Sequence, residues 1–361
     1  MLLRKFDFSD SESRDKFIFD KEIHLATWEH YCDCYSYTLE KIFNKGLQRN
    51  YALNCRARAI LFLIRHYYEI CLKKNLALNG YIFTNTHDLK ELLDCFQDQS
   101  LIPVGFKDLV TKLNYDLDGA CFRYYLDNKT GKPFFDYKDR IELSEIIKKY
   151  SGIVSSDKFK IDKICEPFDY DNRIKKWNFT FHMGECRGLG HIRTQYDNVI
   201  EFLVEGVLFE SYDVNKVYLP LLFLVRHSLE LALKHNLFKA RKLTNIVSDK
   251  RIEKIHSLEQ LYNLFGGSNG YINKVDIEKM DLKTQEQLND YKRQYEELNT
   301  TIHQLDTNSM FFRFPVDSKG KNHSIYMKGH RLFEILKLYY LTDPFITFTN
   351  DVLIEEGLLT E

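Results

Sequence analysis

The sequence predicts a mainly α fold, built from two duplicated helical-bundle domains that each carry a small β-hairpin. Its 361 residues exceed what a single hydrophobic core usually holds, so two domains are expected. Only 6 Pro and 16 Gly interrupt the chain, which favours long helices over many short strands. The third observation is an internal repeat. Residues 61–76 (LFLIRHYYEICLKKNL) and 222–237 (LFLVRHSLELALKHNL) are identical at ten of sixteen positions without a gap.

The repeat carries a line of charged side chains. Arg65, Glu69 and Lys73 are spaced four residues apart, so they share one helix face. The matching residues, each 161 positions later, are Arg226, Glu230 and Lys234. Because the helix is otherwise strongly apolar, we expect these charges to be partly buried and paired with one another, since an unpaired buried charge costs several kcal/mol. The alternative is a polar cleft that contacts an anion or RNA.

A histidine follows the arginine in both copies. His66 and His227 point about 100° away from the charged line. We interpret them as histidines of the core or of an interface, and they remain candidates for ligand binding.

A second pair of histidines precedes a shorter helix in each half. His87 and His256 are followed by Asp-x-x-Glu and Ser-x-x-Gln, patterns that cap helix N-termini. The positive end of a helix dipole favours a neutral imidazole, which can accept a proton or pack as a lid.

Two aromatic segments with a turn signal predict one hairpin in each half. FRYYLDNK (122–129) and FRFPVDSK (312–319) share the pattern Phe-Arg-aromatic-x-x-Asp-x-Lys, and a Gly-Lys pair follows each. The expected hairpins lie near 120–137 and 311–327.

An arginine lies on each of these hairpins. We expect Arg123 and Arg313 to stack on neighbouring rings, to pair with Asp127 and Asp317 across the even spacing of a strand, or to contact phosphate.

The remaining elements follow from periodicity and from turn residues. The first half is expected to hold helices near 23–45, 52–78, 88–97, 105–117 and 140–150. The second half is expected to hold helices near 191–210, 216–240, 257–265, 277–305 and 329–341. The offset between the halves grows along the chain, which indicates insertions around 239–254 and 266–285. WNFTFHM alternates like a strand. Gly, Ser and lost periodicity around 151–175 divide the chain into domains of 1–160 and 161–361.

Composition narrows the class of protein. A net charge of -1 excludes a global basic field for nucleic acid, although a local basic groove is compatible with it. The sequence has no signal-length or membrane-length apolar run, which predicts a protein without membrane association. Its eight cysteines are not spaced regularly, as those of a disulfide framework are, so we expect reduced thiols and a cytoplasmic location.

Metal and cofactor motifs are missing from the sequence. It holds neither GxGxxG nor GxxxxGK[ST]. Cys32-x-Cys34 has no second cysteine pair, and the spacing of His182, Cys186 and His191 is weak evidence for a metal. We therefore predict neither a metal nor a cofactor.

The repeated Arg-x-x-x-Glu-x-x-x-Lys, followed by His-[Asp/Ser]-Leu-x-x-Leu, resembles the HEPN superfamily of small helical bundles. That resemblance implies RNA binding or metal-independent RNA cleavage, in a prokaryotic defence or toxin–antitoxin system. It also implies dimers, so the tandem pair would form a pseudo-dimer within the chain, and a homodimer is a further arrangement. The family's nuclease signature is Arg, four to six residues, then His. Arg251 and His256 match that spacing and are the candidate catalytic residues, in the second half only.

Two other functions compete with RNA binding. A protein-interaction scaffold without enzymatic activity would use exposed aromatic hairpins and edge strands. Binding of a nucleotide or a small anion would use Arg226, Lys234 and the helix start at His256.

Overall fold

The fold is mainly helical, as predicted. The computed structural model describes residues 10–19, 24–49, 52–83, 86–165, 176–185, 188–243, 252–268, 270–305, 310–317, 319–325 and 331–359. In chain order its helices are α1 (Ser11–Asp15), α2 (Trp28–Arg49), α3 (Ala57–Leu78), α4 (Leu89–Asp94), α5 (Val104–Lys112), α6 (Leu143–Ser151), α7 (Leu189–Phe209), α8 (Val214–Leu243), α9 (Leu258–Phe265), α10 (Leu282–Leu305) and α11 (Arg331–Glu355). Each of the ten predicted helices corresponds to one of these.

The two repeat helices form the centre of the molecule. α3 is buried on nearly every side, as expected for a helix that is apolar around its whole circumference. α2 packs on both α3 and α8, while α7 packs on both α8 and α3. One hydrophobic core therefore runs through both predicted domains, 1–160 and 161–361.

Two helices end five or more residues from the predicted position. α11 was expected to end near 341 but continues to Glu355, through Pro344. Phe345, Ile346 and Leu353 are buried beyond the proline, so tertiary packing stabilises this continuation. α5 was expected to reach 117 but ends at Lys112.

Extended structure is sparse in the described residues. β1 (His24–Leu25) pairs antiparallel with β4 (Ser324–Ile325), and β2 (Arg140–Glu142) pairs antiparallel with β3 (Thr180–His182). The strand predicted for WNFTFHM is therefore present as β3.

The two predicted hairpins are shorter than expected. Among the residues that the structure describes in these two stretches, each hairpin is reduced to one isolated antiparallel bridge, Leu126 with Pro133 in the first and Val316 with Asn322 in the second. Gly131 and Gly320 adopt positive φ in the two turns, a conformation that glycine tolerates without steric cost.

The described cysteines are free thiols, and most are buried. Burial raises the pKa of the Cys71 thiol to about 12 and that of Cys32 well above its ordinary value. These are unreactive core thiols rather than nucleophiles. Within the described ranges, no helix combines the length and the hydropathy that a membrane span requires.

Candidate functional site

The first charged line forms a buried ion network with the histidine of the capped helix. We call Arg65, Glu69, Lys73 and His87 the first network. Glu69 Oε1 accepts hydrogen bonds from Lys73 Nζ and from His87 Nδ1, both at 2.8 Å. Glu69 Oε2 accepts one from Arg65 Nη1 at 3.3 Å. Arg65 Nη2 also donates to the backbone carbonyl of His87, at 2.7 Å. The network thereby holds α3 against the start of α4.

The second charged line repeats this geometry. We call Arg226, Glu230, Lys234 and His256 the second network. Glu230 Oε1 lies 2.8 Å from Lys234 Nζ and 3.0 Å from His256 Nδ1, while Oε2 lies 3.5 Å from Arg226 Nη1. Arg226 Nη2 donates to the backbone carbonyl of His256 at 2.9 Å. The predicted pairing of the buried charges is confirmed in both halves.

Each glutamate stays ionised although it is buried. Burial by itself would raise the pKa of Glu69, but Lys73 and His87 outweigh it and hold that pKa well below its ordinary value. Burial acts in the same way on Glu230, where Lys234, His227 and His256 lower the pKa. Both networks are thus salt-bridged clusters, and their arginines and lysines are almost fully shielded from solvent.

The helix starts after His87 and His256 are capped as predicted. The Asp88 side chain accepts the backbone N–H of Lys90, and the Ser257 side chain accepts that of Gln260. Capping fixes the two histidines directly outside α4 and α9.

The two halves exchange their aromatic segments. We call Phe122–Asp127 the first Phe-Arg segment and Phe312–Asp317 the second. The first packs on the second network, and the second packs on the first network. His66 Nε2 donates to the Arg313 carbonyl at 2.9 Å, and His227 Nε2 donates to the Arg123 carbonyl at 3.1 Å.

A matched pair of tyrosines strengthens this exchange. The Tyr35 hydroxyl donates to the Phe312 carbonyl at 3.0 Å, and the Tyr196 hydroxyl donates to the Phe122 carbonyl at 3.4 Å. Tyr35 and Tyr196 are again 161 positions apart. The offset of 161 positions that separates the two charged lines therefore also separates these two tyrosines, which lie on α2 and α7.

The buried histidines are neutral. Burial lowers the pKa of His66 well below its ordinary value, and it lowers the pKa of His227 to about 4. Each donates Nε2–H to a carbonyl and stacks on an aromatic ring, Phe62 for His66 and Phe223 for His227. The interpretation of these two residues as core histidines agrees with this placement.

The two networks differ chemically at one position of the Phe-Arg segments that pack on them. The Tyr124 hydroxyl donates to Glu230 Oε1 at 2.7 Å and lies 3.0 Å from His256 Nδ1. The equivalent residue over the first network is Phe314, whose ring contacts His87 and lies 4.6 Å from Lys73 Nζ. Only the second network therefore gains a hydroxyl from the exchanged segment.

The predicted strand-face pairing of Arg123 with Asp127 is wrong. Arg123 donates to the backbone carbonyls of Gly119 and Asp118, while Asp127 accepts Lys129 N and Thr130 Oγ1. The tight turn bends the segment away from extended geometry, so residues four apart no longer share a face.

Asp317, the equivalent residue of the second Phe-Arg segment, likewise hydrogen-bonds within its own turn. Asp317 accepts the backbone N–H groups of Lys319 and Lys321. The Arg313 guanidinium lies over the Phe223 and Phe314 rings, so the predicted stacking of this arginine on neighbouring rings is present.

The network residues that reach the surface are the two capped histidines. The His256 side chain is 45% exposed and that of His87 is 27% exposed. Because an ionised carboxylate only accepts, Nδ1 of each ring must carry the proton that Glu230 or Glu69 binds. Nε2 of each ring has no hydrogen-bond partner among the described residues, and in the neutral tautomer it is a proton acceptor.

A cavity of about 450 Å³ adjoins the second network. It lies between the first Phe-Arg segment, the start of α7 and the last turns of α8. Tyr125, Phe238, Lys234, Arg241 and Glu253 are among its lining residues. Aromatic rings and cations therefore share one concave surface.

Sequence reasoning missed several residues of this region. No sequence motif marks three of these residues, Tyr125, Phe238 and Arg241, as part of a site. Tyr124 was marked only as the aromatic position of the Phe-Arg pattern. Of the two candidate catalytic residues, Arg251 lies outside the described residues. His256 is present at the surface.

The weak metal pattern finds no support in the described residues. His182 and His191 line a common cavity with Cys55 and Glu185, and Cys186 lies outside the described residues. Nowhere in the described part of the chain do three or more His, Cys, Asp or Glu side chains cluster as metal ligands.

Comparisons of this chain with models of protein families, with curated proteins and with solved structures found no match.

Proposed function

We propose that this chain binds RNA at the surface around His256, with the Glu230–His256 pair placed to supply the base for RNA cleavage. The observation that carries the proposal is the hydrogen bond from His256 Nδ1 to a buried, ionised glutamate, combined with a half-exposed imidazole. The HEPN resemblance supports the same class of substrate.

A glutamate-bound histidine can take a proton from a ribose hydroxyl. The Nδ1 hydrogen bond fixes the tautomer, leaving the Nε2 lone pair as acceptor. In the proposed step, Nε2 accepts the 2′-hydroxyl proton and O2′ attacks the adjacent phosphorus. The P–O5′ bond breaks, and O5′ takes a proton from water. The proton on Nε2 then neutralises the hydroxide that this leaves, so His256 returns to its neutral form. The products are a 2′,3′-cyclic phosphate and a 5′-hydroxyl, and no metal is needed.

The second network suits this role better than the first. His256 is more exposed than His87, and Tyr124 adds a hydroxyl beside its Nδ1. The cavity lined by rings and cations also adjoins the second network. Any chemistry is therefore asymmetric and belongs to the second half.

Burial removes one of the two features that suggested a protein-interaction scaffold. The aromatic side chains of the two Phe-Arg segments were expected at an exposed partner surface. Phe122, Tyr124, Phe312 and Phe314 are instead buried inside the protein.

The test uses the purified full chain with labelled tRNA and single-stranded RNA, at low salt and in the presence of EDTA. We expect RNA binding by the wild type, and cleavage that falls about hundredfold in His256→Ala, since a general base typically contributes at least that factor. His303→Ala is the matched control, because His303 is also an exposed histidine beside a carboxylate, Glu259.

Two results would overturn the proposal. If the wild type neither shifts nor cuts RNA at low salt, RNA is not its ligand. If His256→Ala and His303→Ala bind and cut as the wild type does, the surface around His256 is not the site.

A further inference from the structure

We infer that the 450 Å³ cavity beside the second network binds a single nucleoside monophosphate unit, with the base against its aromatic wall and the phosphate at Arg241. The inference deepens the proposed RNA function and rests on it for the natural source of the ligand. Two sources share this chemistry: an unpaired nucleotide of an RNA strand and a free nucleotide.

The size and the walls of the cavity suit a nucleobase. Small-molecule sites usually measure about 300–1,000 Å³ and are mostly apolar. Tyr125, Phe238 and Leu126 contribute to an apolar wall, and Tyr124 is held in place by its hydrogen bond to Glu230. Stacking of a base on such rings stabilises a complex by about 1–3 kcal/mol without demanding one sequence.

Arg241 supplies the cation for the phosphate. Its guanidinium lies over the Phe238 ring, 5.0 Å from the centroid, and its side chain is 37% exposed. Its one carboxylate partner in the described residues is Glu253, at 3.3 Å. An ion pair this exposed contributes little, so a phosphate can compete for the planar guanidinium.

The start of α7 adds to the same wall. Gly188 and Leu189 line the cavity, and Gly188 offers no side-chain cap to the first amides of this 21-residue helix. The His235 ring, another lining group, packs beside the first turn of α7 at Gly190. Helix amides and the positive end of the dipole favour an anion at this position.

The balance of charge favours one phosphate over three. Lys234 also lines the cavity, but its ammonium already donates to Glu230 and to the Glu253 carbonyl. The Glu253 carboxylate remains as a negative charge in the wall. A triphosphate would meet that carboxylate with too few cations, whereas a monophosphate needs only Arg241 and the helix start.

Isothermal titration calorimetry on the full chain tests the inference. The probes are adenosine monophosphate, adenosine triphosphate, a 5′-phosphorylated single-stranded RNA and a fully paired RNA duplex. The variants are Arg241→Ala, which removes the cation, and Phe238→Leu, which removes the ring but keeps an apolar side chain. Lys239→Ala is the matched control, since Lys239 is a neighbouring cation on α8 that pairs with Asp351 and does not line the cavity.

We expect the monophosphate and the single strand to bind more tightly than the triphosphate and the duplex. Arg241→Ala and Phe238→Leu should each weaken that binding about tenfold, and Lys239→Ala should leave it unchanged. RNA binding that is the same in wild type, Arg241→Ala and Phe238→Leu would overturn the inference and leave the proposed function standing. Binding of the monophosphate without any RNA binding would sustain the inference and remove the proposed function.

Discussion

Phe62 and Phe223, which occupy the same position in the two copies of the repeat, stack directly on each other. Their ring centroids are 4.4 Å apart and their planes differ by 14°. His66 stacks on Phe62 and His227 stacks on Phe223, so the four rings form one continuous stack. The contact between the halves is therefore aromatic at its centre, with one ion network on each side.

The Phe62–Phe223 stack should make the halves energetically dependent on each other. We expect Phe62→Leu and Phe223→Leu to lower the free energy of unfolding by about 1–2 kcal/mol each, and the pair to show a coupling of about 0.5–1.5 kcal/mol in a double-mutant cycle. Urea unfolding measures these values. Phe209→Leu, at a side chain 70% exposed, is the control. Strictly additive losses would mean that the two rings do not interact.

Tyr124→Phe should make the second network resemble the first. The change removes the hydroxyl that donates to Glu230, and the expected loss is about 2 kcal/mol of unfolding free energy, because a hydrogen bond to a buried charge is lost. Tyr125→Phe is the control at the next position. The reciprocal change, Phe314→Tyr, places a hydroxyl near the first network. Equal stability of Tyr124→Phe and Tyr125→Phe would show that the Tyr124 hydroxyl is dispensable.

Gly119 should be far less replaceable than Gly131. Both adopt positive φ, so alanine strains the backbone at either position by about 1 kcal/mol. At Gly119 an added Cβ would also lie 2.8 Å from Arg65 Cζ, whereas at Gly131 it would meet open space. Because Arg65 belongs to the first network, we expect Gly119→Ala to cost at least 2 kcal/mol more than Gly131→Ala in urea unfolding, a typical cost of disturbing a buried ion pair. Equal losses would contradict a tight contact with Arg65.

Stability should fall as the pH drops below 6.5, because of the buried histidines. Burial keeps the pKa of His227 at about 4, against an ordinary value of 6.5. Between these values the unfolded chain binds a proton that the folded chain does not, so stability is lost as the pH falls. For His227 alone the loss at pH 5 is about 2 kcal/mol. The low pKa values of Glu69 and Glu230 act in a separate window, below pH 4.5.

Urea unfolding at pH 7 and pH 5 measures this dependence. His227→Gln removes one titrating group, so the difference in stability between the two pH values should shrink by about 2 kcal/mol. His303→Gln, at an exposed position, should keep the wild-type difference. A difference that is unchanged in His227→Gln would show that His227 is not the group responsible.

Local features of the chain were predictable because they depend on neighbours in sequence. Arg65 and Glu69 pair across one helical turn, as their i, i+4 spacing indicates. Asp88 and Ser257 cap their helices through amides two or three residues away. The end of α11 was not predictable in this way, because packing of distant side chains stabilises the helix beyond Pro344.

By itself the sequence determined the helical class, the order of the helices, the two charged lines and the capped histidines, all of which follow from local spacing. Internal duplication remains an interpretation of that sequence. The tertiary structure alone decided that each Phe-Arg segment crosses to the other half, since the contacts join residues 247 and 104 positions apart. It also decided that His87 and His256, rather than the arginines and lysines of the two networks, reach the surface. No local pattern encodes such choices, because burial depends on how distant segments fill the space around each helix.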